Sequence, residues 1–403
     1  MRVCLLSGEF PPMQGGVGDF TREIGLALDR LGATVSVIAS TRARQPAGAP
    51  QALHDGTVVE RDGLGLTLFP VVERWDLSSW SNVTRLLRYT KSQILNIQYQ
   101  TAAYQMHPAT NFLPWRLRFV DEKPGIVTTF HDLKLPYLFP KAGLVRRWVT
   151  KMLIRASDAS IVTNVEDRMR AQAYGARNLY LYPIGSNVDP QPPLGYDRDR
   201  WRQRWGVGRD ETLLCYFGFL NESKGGETLF RALARLVTSG ERVKLLMIGG
   251  RVGSSDPTNI AYLQQMELLI DELSLANHVS WTGYVDGEEV SANFRASDIC
   301  VLPYRDGVSF RRGTLMAALV HGLPIVSTYP RVEVAEIVEN ENMGLVPPDD
   351  AEALANKIAE VASSPQLRRR LARGAAELST LFSWEGIAEN TMRVYEGVLR
   401  ERS

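Results

Sequence analysis

Short apolar runs alternate along this chain with segments of helical spacing, and this alternation constrains the fold more than any other feature. The first run, residues 3–6, precedes a glycine-rich turn and a segment whose apolar residues recur at helical intervals from Phe20 to Leu31. A second run follows at residues 35–39. Strand, helix and strand in this order build a parallel sheet with right-handed crossovers. Further runs in the first half lie at residues 94–97, 126–128 and 160–163.

A second series of the same kind begins after a break in the pattern. The proline-rich stretch at residues 190–196 interrupts all periodicity and is interpreted as an interdomain linker. Six short apolar runs follow, at residues 213–217, 243–248, 279–281, 299–302, 325–327 and 344–346. The 403 residues therefore predict an α/β protein of two Rossmann-like, doubly wound parallel sheets facing across a cleft. The predicted domains are residues 1–190 and 191–381, followed by a final helix within residues 382–403.

Composition excludes several functional classes. The chain has 46 basic and 45 acidic residues, so its net charge of +1 gives no reason to expect nucleic-acid binding. The three cysteines, Cys4, Cys215 and Cys300, lie in apolar runs, which predicts buried thiols rather than a disulfide or zinc framework. No apolar run approaches the roughly 18 residues that span a bilayer, and the first residues do not resemble a signal peptide. We therefore expect a soluble cytoplasmic protein.

Two glycine-containing loops that follow predicted strands are candidates for phosphate binding. Gly15 and Gly16 precede a helix, whose unpaired amides and dipole favour an anion. Gly218 and Lys224 lie between the run at residues 213–217 and the next helix, where the lysine can act as a point charge towards phosphate. Neither loop has the dinucleotide or Walker spacing. The alternatives are a glycine turn with only a structural role and a solvated lysine.

Two adjacent arginines, Arg311 and Arg312, follow the run at residues 299–302 and precede a helix. Guanidinium groups so close together repel each other unless an anion lies beside them, and a diphosphate fits that role. The alternative is that they point to solvent or pair with Asp306 and Glu336.

A histidine follows the predicted strand at residues 126–128. His131 is one of only five histidines, and at the carboxyl end of a strand it can hydrogen-bond a substrate or exchange a proton with it. The alternative is a structural histidine. No H-x-x-x-H, C-x-x-C or G-x-S-x-G motif supports a zinc site or a hydrolase nucleophile.

Taken together and in order, these segments resemble the retaining GT-B glycosyltransferases of family 4 over nearly the whole chain. The resemblance rests on Gly15 and Gly16, on His131 and Asp132, and on residues 218–225, 281–285, 297–303, 322–326, 342–348 and 382–384. Each segment alone is common, whereas their order and spacing together are specific to that family.

The resemblance implies a GT-B fold, with acceptor binding in the first domain, donor binding in the second, and a last helix that crosses back to the first. It implies a nucleotide diphosphate-sugar donor, UDP- or GDP-linked, an unidentified acceptor (glycan, lipid or small molecule), and neither cofactor nor metal. The implied catalytic residues are His131 and Asp132. The implied donor-binding residues are Gly15, Gly16, Gly218, Lys224, Tyr284, Val285, Ser309, Phe310, Arg311, Arg312, Gly313 and Thr314.

The sequence departs from the family pattern at three positions. Ser309 and Ala317 occupy the places of two glutamates spaced E-x7-E, and Phe219 replaces the arginine of a G-R-L motif. We infer that Arg311 and Arg312 have taken over anion binding while Lys224 is retained. The departures fit either a variant subgroup with altered donor handling or an inactive nucleotide-sugar-binding partner protein. A GT-B epimerase acting on a UDP-sugar is a further alternative.

Two basic segments remain. As a helix, residues 144–155 would carry Leu144, Val145, Trp148, Met152 and Leu153 beside four basic residues, a pattern compatible with peripheral docking at the inner face of an anionic membrane. The alternative is an ordinary amphipathic helix packed on the sheet. The consecutive arginines at residues 368–370 are interpreted as a solvated face.

Overall fold

The computed structural model describes residues 1–13, 15–45, 51–52, 58–61, 65–120, 122–133, 143–250 and 257–402. The chain forms two compact units. Unit 1 comprises Met1–Gly185 together with Trp384–Ser403, and unit 2 comprises Ser186–Ser383.

Unit 1 is built on a nine-stranded sheet in the order β3-β4-β5-β2-β1-β6-β7-β8-β9. The strands are β1 Arg2–Ser7, β2 Thr34–Ser40, β3 Gln51–Ala52, β4 Val58–Arg61, β5 Thr67–Val72, β6 Ile94–Tyr99, β7 Gly125–Phe130, β8 Ala159–Val162 and β9 Leu179–Leu181. From β5 to β9 all neighbours pair in parallel, whereas β4 pairs antiparallel with both β3 and β5. The five strands predicted here are confirmed, and the sequence missed β3, β4, β5 and β9.

Helices cover both faces of this sheet. They are α1 Gly16–Arg30, α2 Ser79–Thr90, α3 Ala109–Leu117, α4 Gly143–Ala156 and α5 Val165–Ala173. Alternate residues of β1 enter opposite hydrophobic clusters: Val3 and Leu5 pack on the α1 side, Cys4 and Leu6 on the α2 and α3 side. Burial on both faces explains why the strands read as continuous apolar runs.

Unit 2 contains a six-stranded, wholly parallel sheet in the order β12-β11-β10-β13-β14-β15. Its strands are β10 Thr212–Phe217, β11 Val243–Ile248, β12 Val279–Trp281, β13 Ile299–Leu302, β14 Ile325–Thr328 and β15 Gly344–Val346. All six predicted strands are confirmed. Its helices are α6 Arg198–Arg204, α7 Gly226–Thr238, α8 Pro257–Glu272, α9 Gly287–Ala296, α10 Gly313–Val320, α11 Ala351–Ser363 and α12 Pro365–Ser379.

The last helix, α13 Trp384–Arg400, is part of unit 1. Ile387, Val394 and Val398 join the hydrophobic cluster on the α1 side of the sheet. Asn96 Nδ2 donates a hydrogen bond of 2.7 Å to the hydroxyl of Tyr395, and both side chains are buried. This hydrogen bond connects strand β6 with helix α13.

In each sheet, the strands that follow the first one along the chain are added on one side of it, and later strands are added on its other side. The change of side lies between β1 and β6 in unit 1 and between β10 and β13 in unit 2. In doubly wound sheets the loops at the carboxyl ends of the strands beside such a switch point form the ligand crevice. The loops that begin at Gly8, Gln100, Gly218 and Pro303 occupy these places.

All three cysteines are buried and free, as predicted. Among the helices within the described ranges, none combines the length and apolar character needed to cross a bilayer.

Candidate functional site

The loop after β10 approaches the loop after β13 closely, and two glycines permit this. Gly225 has a φ of +71°, and a Cβ there would lie 1.9 Å from the carbonyl oxygen of Pro303. Gly218 has a φ of +101°, and its Cβ would lie 2.7 Å from Thr314 Cγ2 and 3.1 Å from Lys224 Nζ. Only glycine tolerates both the left-handed backbone and the lack of space. Gly218, Lys224 and Thr314 are therefore neighbours at the switch point.

Lys224 is held in place by its own loop. Its Nζ donates a hydrogen bond of 2.8 Å to the carbonyl oxygen of Phe219. Although the side chain retains some solvent contact, burial of the ammonium and the nearby positive charge of Arg312 lower its pKa to about 8. An anion bound here would oppose both effects and hold the proton on Lys224.

Arg311 and Arg312 both pair with Asp306, the alternative partner named from the sequence. Arg311 Nη2 lies 2.5 Å from Asp306 Oδ2, and Arg312 Nη2 contacts Oδ1 of the same carboxylate. The Arg312 guanidinium also lies over the ring of Tyr304, 4.8 Å from its centre. Asp306 thus supplies the anion that the adjacent arginines require, so their proximity alone does not demand a diphosphate.

Two buried polar atoms in this segment have no hydrogen-bond partner within the described residues. They are Nε of Arg312 and Oγ of Ser309. Buried polar atoms are nearly always paired, so two neighbouring exceptions mark this segment as a candidate site for a polar ligand. The Tyr304 hydroxyl lies 2.6 Å from Thr314 Oγ1, which fixes the first turn of α10. That helix has no side-chain cap at its N-terminus.

The remaining residues of this segment are positioned by the core. The ring of Phe310 packs on Phe382, with centres 4.6 Å apart. Gly313 begins α10, and Ala317 is completely buried within it. A glutamate at position 317 would need space beyond that of the buried alanine methyl.

Tyr284 and Val285 lie beyond β12. Tyr284 is 77% exposed, and Val285 is half-buried. The structure adds Gly249, which the sequence did not single out: it packs on the backbone of Gly218, and its amide donates a 2.9 Å hydrogen bond to Thr282 Oγ1. The signal available for Gly249 was its place directly after the apolar run of β11.

In unit 1, His131 follows β7 and its ring is largely enclosed. Its Nε2 lies 2.9 Å from Gln98 Oε1, and its ring meets Phe20 edge-on at 4.6 Å. Burial lowers the pKa of His131 to about 3, so the imidazole is neutral at physiological pH. The Nε2 of Gln98 is itself buried and without a partner among the described residues. Gln98 was missed from the sequence, although a polar residue ending a buried strand was a usable signal.

In unit 1, the carboxylate of Glu9 lies beside the loop that contains Gly15 and Gly16. Gly15 is extended, and a Cβ there would lie 2.1 Å from Glu9 Oε2, whereas Gly16 is exposed at the start of α1 with open space around it. Burial raises the pKa of Glu9, Asp19 adds to the rise, and Arg42 partly offsets it. Glu9 was also missed from the sequence. Asp132 directly follows His131 and is half-buried.

The two units match two family models. The model described as "Glycosyltransferase Family 4" matches residues 14–188, and that described as "Glycosyl transferases group 1" matches residues 197–378. The chain belongs to this glycosyltransferase family. Within the described residues of this glycosyltransferase, no group of three or more His, Cys, Asp or Glu side chains could hold a metal ion.

Similar proteins span most of the glycosyltransferase. A "D-inositol 3-phosphate glycosyltransferase" of Corynebacterium jeikeium is 25% identical over 98% of this chain and 96% of that protein. A "Phosphatidyl-myo-inositol mannosyltransferase" of Mycobacterium leprae is 29% identical over 70% of each. The crystal structure of Anabaena HepE in complex with UDP and glucose has a TM-score of 0.74 at 17% identity, covering 98% of this chain and all of that one. This structural likeness supports the α/β, GT-B fold of the glycosyltransferase.

Proposed function

We propose that this glycosyltransferase transfers a sugar, with retention of its anomeric configuration, from a UDP- or GDP-linked donor bound by unit 2 to an acceptor bound by unit 1. The observation that carries the proposal is the cluster of Lys224, Arg311 and Arg312 at the β10/β13 switch point, referred to below as the cation cluster.

The charge of the cation cluster suits a diphosphate. Lys224, Arg311 and Arg312 carry three positive charges against the single negative charge of Asp306, which pairs with the two arginines. The surplus is two, which equals the charge of the diphosphate in a nucleotide sugar. The uncapped N-terminus of α10 adds further positive potential. Arg312 Nε and Ser309 Oγ, which have no hydrogen-bond partner among the described residues, would gain hydrogen bonds from the donor.

The proposed chemistry needs stabilisation of the leaving group above all. As the bond between the anomeric carbon and the diphosphate oxygen breaks, its electron pair passes to the diphosphate. The cation cluster would stabilise that charge, lowering the barrier. An acceptor hydroxyl attacks from the face that the diphosphate leaves, and its proton passes to a diphosphate oxygen. This step draws on no metal ion.

Neutral His131 would act by hydrogen bonding in this reaction. With a pKa of about 3 it cannot serve as a general acid at neutral pH. We assign it, with Asp132, to orienting the transferred sugar. Gly15 and Gly16 would approach the donor through backbone amides, and Tyr284 and Val285 would contact the nucleotide base.

A catalytically inactive nucleotide-sugar-binding protein is the second candidate. The observation that favours it is the full burial of Ala317 where the family has a carboxylate. Such a protein would bind the donor without hydrolysing or transferring its sugar, so binding and turnover must be measured separately.

Donor binding should be tested by calorimetry with UDP, GDP, ADP and their sugars. Turnover should be tested first with D-inositol 3-phosphate and phosphatidyl-myo-inositol as acceptors, because the similar proteins are named for these compounds. We expect Arg311→Ala/Arg312→Ala to weaken donor binding and abolish transfer. Arg305→Ala is the matched control, since Arg305 lies in the same loop but pairs with Glu222 and Asp349.

His131→Ala should reduce turnover far more than donor affinity. Near wild-type transfer by the double arginine variant would refute the role of the cation cluster. Donor binding without any turnover would favour the inactive protein.

A further inference from the structure

Unit 2 has a cavity between the first turns of α7 and α11 and the middle of α8, named here the α7–α8 cavity. Its volume is about 470 Å³, within the range of small-molecule sites in proteins. No member of the cation cluster is among its lining residues. Eight of the eleven lining residues have polar or charged side chains, so the cavity suits a polar ligand.

The apolar part of the α7–α8 cavity is formed where α8 packs closely on the start of α7. A Cβ on Gly226 would lie 3.2 Å from the hydroxyl oxygen of Tyr262 and 3.4 Å from Met266 Sδ. Met266 is buried and Tyr262 is half-buried. The aromatic ring and the thioether give a surface on which the C–H groups of a ligand can pack.

The hydroxyl of Tyr262 is available as a hydrogen-bond donor. The amide of Glu227 donates a hydrogen bond of 3.4 Å to this oxygen, and the amide of Gly226 also faces it. Burial raises the pKa of Tyr262, so the hydroxyl keeps its proton. Since no acceptor for that proton lies among the described residues, the hydroxyl can donate it to a ligand.

Ion pairs form two walls of the α7–α8 cavity. On one side, Arg231 Nε lies 2.9 Å from Glu227 Oε1. On the other side, Arg305 bonds Glu222 at 2.7 Å and Asp349 at 2.9 Å. Each guanidinium has further N–H groups and each carboxylate has further lone pairs that these bonds do not use. The walls therefore present hydrogen-bond donors and acceptors side by side.

The charge of the lining argues against a second phosphate site. Three acidic residues face two basic ones, so the lining has a net charge of −1, whereas the cation cluster has a positive surplus. A phosphate or a nucleotide would be repelled. A polyamine would use the carboxylates but would meet the guanidinium groups of Arg231 and Arg305. A neutral ligand with many hydroxyl groups uses donors and acceptors alike.

We propose that the α7–α8 cavity binds a small neutral saccharide at a site separate from that of the donor. The sugar ring packs on Tyr262 and Met266. Its hydroxyl groups hydrogen-bond with the Tyr262 hydroxyl, the Gln265 amide and the Arg231–Glu227 pair. All lining residues belong to unit 2, so the site needs no residue from unit 1.

Saturation-transfer NMR with the full chain tests this proposal. UDP and GDP are both present in excess, so that the donor site holds a nucleotide. We expect glucose, mannose, maltose or trehalose to bind. Neither glucose 6-phosphate nor spermidine should displace the bound sugar at the same concentration, because each carries a charge that part of the lining repels.

Two variants remove hydrogen-bonding groups from the α7–α8 cavity. Tyr262→Phe/Gln265→Ala should bind the sugar about tenfold more weakly, since two hydrogen bonds are lost. Arg231→Ala, at an exposed position, should weaken binding as well. Circular dichroism checks that each variant keeps the fold.

The matched control is Tyr329→Phe/Gln264→Ala. It makes the same two changes at exposed positions of unit 2 outside the lining, and it should bind the sugar like the wild type. Arg311→Ala/Arg312→Ala should also keep sugar binding, because neither arginine lines the cavity.

Four results would overturn the proposal. They are no binding of any of the four sugars, equal binding by the test and control variants, displacement by glucose 6-phosphate or spermidine, and loss of sugar binding in the double arginine variant alone. The last result would assign the sugar to the donor site. Tyr262→Phe/Gln265→Ala should bind the nucleotide like the wild type, so failure here is distinguishable from failure of the proposed function.

Discussion

Gln98 Oε1 lies 2.9 Å from His131 Nε2, at the carboxyl ends of the adjacent strands β6 and β7. Gln98 is completely buried and uncharged, so it fixes the imidazole ring without supplying the negative charge that would favour protonation. The pair therefore holds a neutral histidine beside the switch point of unit 1.

The low pKa of His131 makes stability depend on pH. Its pKa is about 3 in the folded protein against an ordinary value of 6.5, so between these values the unfolded chain binds a proton that the folded chain does not. We expect the free energy of unfolding to fall as pH drops from 6.5 towards 3, and His131→Gln to reduce that fall. Denaturant unfolding at several pH values measures the difference.

Gln98→Glu should raise the pKa of His131 because a carboxylate next to the ring favours the imidazolium. A histidine NMR titration gives the pKa directly. Gln203→Glu, at an exposed position of unit 2, is the control and should leave the His131 signal unchanged. A His131 signal that titrates normally in the wild type would contradict the burial argument.

The lowered pKa of Lys224 predicts that the affinity for the donor depends on pH. Its pKa of about 8 lies below the ordinary value of 10.5, so the ammonium loses its proton as pH rises through 8. Affinity for a nucleotide sugar should fall over that range, since the diphosphate diester itself does not titrate there. Lys224→Arg should remove the dependence, because a guanidinium stays charged. Calorimetry from pH 6.5 to about 9.5 provides the measurement, and a parallel decline in both proteins would rule out Lys224 as its source.

Asp306 should oppose donor binding while stabilising the free protein. Asp306→Asn removes the negative charge that Arg311 and Arg312 share. We expect tighter binding of nucleoside diphosphates and a lower thermal midpoint without ligand. Asp349→Asn, whose carboxylate pairs with the exposed Arg305, should change neither by much. Unchanged donor affinity in Asp306→Asn would show that the donor does not meet these arginines.

Gly225 should be intolerant of any side chain. Gly225→Ala combines a left-handed backbone with a Cβ 1.9 Å from Pro303 O, and we expect a loss of at least about 2 kcal/mol in the free energy of unfolding. Gly287→Ala at the start of α9 is the control, since a Cβ there meets nothing within 4 Å. It should be neutral or stabilising by up to about 1 kcal/mol. Equal stabilities in denaturant unfolding would exclude this close approach.

The central parallel strands were predictable because a strand that is buried on both faces has a continuous run of apolar residues. Eleven strands of the two sheets were found as apolar runs. Three of the missed strands lack such a run: β3 has two residues, β4 belongs to the antiparallel edge, and β9 is only partly buried. The fourth, β5, is mostly buried and does have an apolar run, so the sequence contained the signal needed to find it. Edge strands depend on pairing partners far along the chain, which local periodicity does not contain.

The sequence by itself determined eleven strands of the two sheets, the resemblance to the glycosyltransferase family, and the loops in which charged and glycine residues concentrate, because these depend on local patterns and on the order of motifs. Tertiary structure alone decided how those residues pair. It placed Asp306 between Arg311 and Arg312, Gln98 on His131, and Phe112 against Trp148. Such contacts depend on the crossing of elements remote in sequence and on burial, which sets the charge of Lys224 and His131.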